Sequence, residues 1–161
     1  SKAIGFRLEC GDRSICIITD HEHPADGIDE SVVEFARGAN VLIHEAPYSA
    51  ELKRSSRAGW GHSSWEEAAA VAREAGVGRL YLTHHDPATG DDQVEHIAAV
   101  ARGIFEQSFV ATEWTEVGDD ELGEVVSWLG DGGGNCFTYT QQFLRGKESP
   151  LIGESFFLGR K

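Results

Sequence analysis

Arg79-Leu80-Tyr81-Leu82-Thr83-His84-His85-Asp86-Pro87 decides how the rest of the chain reads. Leu80, Tyr81 and Leu82 form the short apolar run of a buried strand. Two imidazoles and a carboxylate end it, and Pro87 has no N–H with which to continue a ladder. A strand that ends in such side chains and passes into a loop sets chemistry on a rigid edge. The same design recurs upstream. Residues 15–19 run into Asp20-His21-Glu22-His23, residues 41–43 run into His44-Glu45, and Gly61-His62-Ser63-Ser64 precedes a helix. One such stretch alone reads equally well as a polar turn; the recurrence favours a site.

Outward from that stretch, strands alternate with helices. Strands over 3–9 and 14–19 are joined by Gly11-Asp12, a hairpin signal. Asp29 can cap a helix to about Arg37, with Ile28, Val32, Val33 and Ala36 on one face and Gly38 as its stop. Residues 40–44 form the third strand, and the polar, basic segment 51–61 reads as a mobile loop. Ser63 or Ser64, with Glu66 or Glu67 three residues on, opens the best-signalled helix. Its buried stripe is Trp65, Ala68, Ala69, Ala72 and Ala75, and Gly76 ends it. After the strand at 79–83, Asp91 is expected to cap a last helix carrying Val94, Ile97, Ala98, Ala101 and Phe105. Residues 109–117 read as one more strand. This alternation predicts an α/β layered fold.

The chain has 161 residues, which suits one domain, and its 40% apolar and 25% charged content is that of a globular protein. Its composition changes at Gly118. Residues 1–117 read as the α/β domain and 118–135 as an acidic, glycine-rich linker. Residues 136–161 are an unassigned tail or the start of another domain. The formal net charge of −13 disfavours a phosphate backbone as partner. No apolar run approaches the roughly 20 residues of a spanning helix and no secretory signal is present, so a cytoplasmic setting is expected and no membrane partner. Three cysteines (Cys10, Cys16 and Cys136) lack metal-type spacing, and Cys10 and Cys16 read as small buried hydrophobes. There is no methionine, and the chain opens inside a strand, so it reads as a piece of a longer protein.

Asp20 and His84 end neighbouring strands, so their side chains can converge at one sheet edge as metal ligands. The competing reading makes Asp20 a turn residue and His84 a donor to a carbonyl. His85 must face away from His84, and His44 away from Glu45. Glu45 and His62 can pair, the carboxylate orienting and charging the imidazole for general acid work. His21-Glu22-His23 reads either as a second metal pair or as a solvated loop, and His96 as ordinary surface.

Thr19-Asp20, His44-Glu45-Ala46-Pro47, Gly61-His62-Ser63-Ser64 and Leu82-Thr83-His84-His85, in this order and with helices between, resemble the C-terminal half of a metallo-β-lactamase-fold hydrolase. The ribonuclease Z and phosphodiesterase-like branch is the nearest in kind, and the resemblance covers about residues 3 to 112. It implies half of an αβ/βα sandwich with two divalent metals, usually zinc, at its edge. Asp20 would be the bridging aspartate and His84 the late histidine ligand. Glu45 and His62 would be the pair that assists the leaving group. The family's His-x-His-x-Asp-His motif is absent from the 161 residues, so only part of such a site is expected here, and little activity from this chain alone. The implied reaction is hydrolysis in which two metals lower the pKa of a water toward neutrality for attack on a phosphoryl or carbonyl centre. A small ester or phosphodiester is the expected substrate, with nucleic acid disfavoured and a homodimer left open. Two alternatives stand beside this: a non-catalytic α/β domain of a multidomain protein, and a di-iron oxidoreductase on the same fold.

Overall fold

A computed structural model describes residues 3–10, 12–87, 89–111, 137–144 and 152–156. β1 (Ala3–Cys10) and β2 (Arg13–Ile18) form an antiparallel hairpin in which Arg7 faces Cys16 and Gly5 faces Ile18. From β2 the chain winds through α1 (Glu30–Ala36), β3 (Val41–Glu45), the short α2 (Ala50–Leu52), α3 (Trp65–Ala75), β4 (Arg79–Thr83), α4 (Asp91–Ile104) and β5 (Ser108–Val110). β2, β3, β4 and β5 are parallel neighbours. β6 (Phe137–Leu144) pairs antiparallel with β1, and β7 (Ile152–Phe156) with β6. The sheet order is β5-β4-β3-β2-β1-β6-β7. The tail that the sequence left unassigned thus supplies two strands; the acidic, glycine-rich segment 118–135 lies outside the described residues, as does Gly11 of the hairpin turn.

The pleat sorts the strand residues. Cys16, Ile18, Leu42, Leu80 and Leu82 form one core cluster with Val32, Phe35 and Ala36 of α1, Ala68, Ala69, Val71, Ala72 and Ala75 of α3, and Ile97 and Ala101 of α4. The alanine stripe lets α3 lie close on the strands, and each fully buried leucine contributes roughly 1.5–3 kcal/mol. The alternate residues, among them Phe6, Ile17, Ile43, Tyr81 and Phe109, occupy the other face, where the Tyr81 and Phe109 rings stack at 5.3 Å.

Helix boundaries follow their caps. Asp29 accepts from the Ser31 N–H at 2.9 Å and opens α1. Ser64, rather than Ser63, caps α3: its hydroxyl accepts from Glu67 N while Glu67 Oε2 accepts from Ser64 N, a reciprocal capping box. Gly76 ends α3 at φ 64°. Asp91 is the first residue of α4 and Gly90 the cap, its N–H donating to Gln93 Oε1 at 3.3 Å. The expected loop at 51–61 is in part helical. α2 continues into a π-helical turn, Lys53–Arg57, anchored by buried Lys53, whose ammonium donates to Glu67 at 2.6 Å and to the His23 carbonyl at 3.2 Å. No helix among the described residues is long and apolar enough to cross a membrane.

Candidate metal centre

The C-terminal ends of parallel strands are where open α/β sheets gather ligands. Here β2, β3 and β4 end side by side. Asp20 follows β2, Glu45 is the last residue of β3, and His84 follows β4. A bridge between Tyr48 and Ser64, with Trp65 N donating to Tyr48 O at 3.0 Å, brings the 61–64 segment against the end of β3. That bridge sets His62 among the other three.

Asp20 and His84 are the only non-glycine residues with positive φ among those described, at 51° and 58°. Each such turn costs on the order of 1 kcal/mol. Both side chains converge at this sheet edge. Asp20 Oδ1 stands 3.7 Å from His84 Nδ1 and 3.9 Å from His62 Nδ1, too far for hydrogen bonds. One ligand-type atom from each of Asp20, His62 and His84 lies within 4.8 Å of the other two. The Asp20 carboxylate and the His84 imidazole, which converge without bonding one another, suit a borderline divalent ion such as zinc, while His62 Nδ1 also faces Glu45.

Behind this open cluster the site becomes dry. The Asp20 side chain is 70% exposed, His84 51%, His62 22% and Glu45 0%. Glu45 Oε2 lies 3.1 Å from His62 Nδ1, while Oε1 accepts from Ser63 N at 2.8 Å. Burial pushes the Glu45 carboxyl up to about 7; the Ser63 and His21 backbone N–H groups and the nearby His84 oppose the rise, and Asp20 adds to it. Burial thus favours the protonated Glu45 carboxyl, and the His62 ring is its side-chain hydrogen-bond partner.

His44 turns to the helix side, as strand alternation requires. It is fully buried, with Nδ1 donating to the Glu45 carbonyl at 2.6 Å and burial lowering its pKa to about 4. His85 leaves the cluster and donates to the Ala111 carbonyl at 3.0 Å. His96 is exposed, edge-on to Trp65. The solvated-loop reading of His21-Glu22-His23 does not hold. Both imidazoles are buried: His23 Nδ1 accepts from Asp29 N at 3.0 Å, and its ring stacks on His44 with centroids 5.6 Å apart. Burial is what took that loop out of solvent, and its imidazoles are absent from the ligand cluster.

Three residues escaped sequence reasoning. Ser63 carries both an amide to Glu45 and a hydroxyl that donates to the His21 carbonyl at 2.6 Å. Tyr48 lays its ring 5.9 Å from that of His62. Glu22 accepts from Gly59 N and Gly61 N at 2.6 and 2.8 Å. The glycine pair around Trp60 was the only local signal for that last contact.

With this geometry in place, a family model described as the beta-lactamase superfamily domain matches residues 1–85. The chain belongs to the beta-lactamase superfamily. Within the superfamily it is 39% identical over 87 residues to Ribonuclease BN of Escherichia coli O1:K1 / APEC, across 53% of this chain and 28% of that protein. The metallo-beta-lactamase fold protein YhfI from Bacillus subtilis superposes with a TM-score of 0.53 at 27% identity, over 66% of this chain and 40% of that one. Human tRNase Z, short form, aligns over 66% of this chain and 33% of that one, with a TM-score of 0.47 and 23% identity. The chain thus spans little more than a quarter of the length of its Ribonuclease BN relatives. The metallo-β-lactamase, ribonuclease Z-like resemblance and the partial α/β fold read from the sequence are borne out.

Proposed function

We propose that this chain supplies part of the active site of a metal-dependent hydrolase that cleaves a phosphodiester or related ester. Asp20 and His84 would hold divalent metal, most simply zinc, and Glu45 with His62 would serve the leaving group. The observation that carries the reading is the convergence of Asp20, His62 and His84 at the ends of parallel strands, with buried Glu45 behind His62. Likeness to proteins named ribonucleases supports the phosphodiester. The metal, when bound, would supply Lewis acidity and an activated water. The chain's own residues do the rest. Glu45 fixes the His62 ring through Nδ1 and shares a proton with it, leaving Nε2 to hand a proton to a departing oxygen. Ser63 N–H, in turn, holds Glu45 in place. A small substrate remains our expectation from the acidic net charge.

The test is a zinc titration of the 161-residue chain and its variants. The chain should bind zinc weakly, Asp20→Ala and His84→Ala should weaken it further, and His62→Ala should leave it in place. Unchanged zinc affinity in the first two variants would contradict the assignment. The chain alone should turn over bis(p-nitrophenyl) phosphate poorly; efficient turnover with two zinc ions per chain would refute an incomplete site.

A further inference from the structure

The chain carries a net charge of −13, yet residues 53–64 hold Lys53, Arg54 and Arg57 and no acid. Lys53 is spent on Glu67, but no carboxylate among the described residues pairs with Arg57. Instead its guanidinium lies 4.3 Å from the centroid of Trp60 and 5.9 Å from that of Tyr48. Tyr48 touches His62, and His62 touches His84 with centroids 5.0 Å apart. A continuous ladder therefore runs from Trp60 through Arg57 and Tyr48 into the candidate metal centre.

Trp60 is 59% exposed, whereas Leu52 at 37% is the one other exposed large apolar side chain among the described residues. It is held out by construction. Gly59 and Gly61, at φ 84° and 92°, flank it, and the two oxygens of Glu22 accept from their N–H groups. A side chain at either glycine would be strained, and the carboxylate clamps both ends of the turn. A rigid turn that presents an indole to water beside a guanidinium is what stacking on a base and pairing with its phosphate require.

We propose that Trp60 and Arg57 form a nucleotide-positioning ledge: Trp60 stacks on a nucleobase of the substrate, and Arg57 binds the attached phosphate next to the metal centre. This rests on the hydrolase reading only for the fate of the phosphate; base recognition stands or falls by itself.

The probes are adenosine 5′-monophosphate and ribose 5-phosphate, titrated into the 161-residue chain in metal-free buffer with EDTA. The indole N–H resonance of Trp60, assigned by its loss in Trp60→Leu, reports the contact. The monophosphate should shift that resonance and bind more tightly than ribose 5-phosphate. Trp60→Leu should weaken it roughly fivefold or more, the scale of one lost base–aromatic stack, without touching ribose 5-phosphate. Arg57→Gln should weaken both ligands. Trp60 is exposed, so Trp60→Leu should keep the parent Tm. Equal affinity for the two ligands, no shift at Trp60 up to the solubility limit, or a Trp60→Leu variant that binds like the parent would each overturn the ledge. Base-dependent binding in a chain whose zinc affinity ignores Asp20 and His84 would uphold the ledge while defeating the hydrolase reading.

Discussion

Lowering the pH should unfold this chain partly through one buried ring. His44 is fully buried on the helix side of β3, donates from Nδ1 to the Glu45 carbonyl, and has no partner for Nε2 among the described residues. Burial lowers its pKa from the ordinary 6.5 to about 4, so the fold prefers the neutral ring. The unfolded chain binds a proton at pH values where the folded chain does not. Stability from this group is therefore complete above pH 6.5, falls between 6.5 and 4, and is gone below that window. The shift corresponds to about 3 kcal/mol in full and to about 2 kcal/mol by pH 5. His44→Asn isolates the effect, because the amide keeps a donor near Nδ1 and does not titrate. Urea unfolding at pH 7.5, 6 and 5 is the assay. The parent should lose about 2 kcal/mol more than His44→Asn between pH 7.5 and 5. Parallel losses in the two proteins would refute the burial argument.

Three further outcomes follow from the site and the caps. In a form of the protein that also carries a His-x-His-x-Asp-His motif, His62→Ala should lower kcat roughly 10²–10⁴-fold for alkoxide leaving groups and least for p-nitrophenolate, with metal retained. Equal slowing of all leaving groups would make His62 a ligand or a structural residue. Glu45→Gln should show the same pattern more mildly, since it weakens orientation and charge without removing the ring. Ser64→Ala should cost about 1 kcal/mol in urea unfolding, because the Glu67 N–H loses its acceptor.

What the sequence made legible was whatever repeats locally. The apolar runs at 15–18, 41–43 and 80–82 and the alanine stripe of α3 sufficed for the layered fold, and Asp29 and the Ser63-Ser64 pair announced their helices, though which serine caps α3 took the structure to decide. Asp20, Glu45, His62 and His84 stood out because each follows or precedes such an element, and the structure gathers all four. Contacts between distant polar groups leave no period and stayed hidden. Glu22 reaches Gly59 and Gly61 across 37 and 39 residues, and Lys53 reaches back to His23 across 30. Pro24 and its acidic neighbours made His21 and His23 look solvated, yet both are buried, with the His23 carbonyl held by Lys53 and the His21 carbonyl by Ser63. β6 is legible only as a partner of β1 and β7 only as a partner of β6, and a partner is a property of the fold and not of the segment.

The central claim is that Asp20 and His84 bind metal together. Crystals of the chain soaked in zinc, with data collected across the zinc edge, test it directly. The account predicts one anomalous peak within about 2.0–2.2 Å of an Asp20 carboxylate oxygen and a His84 ring nitrogen, with Glu45 outside bonding distance. Zinc bound elsewhere, at the buried His23 and His44 pair for instance, or no zinc at this edge, would contradict it.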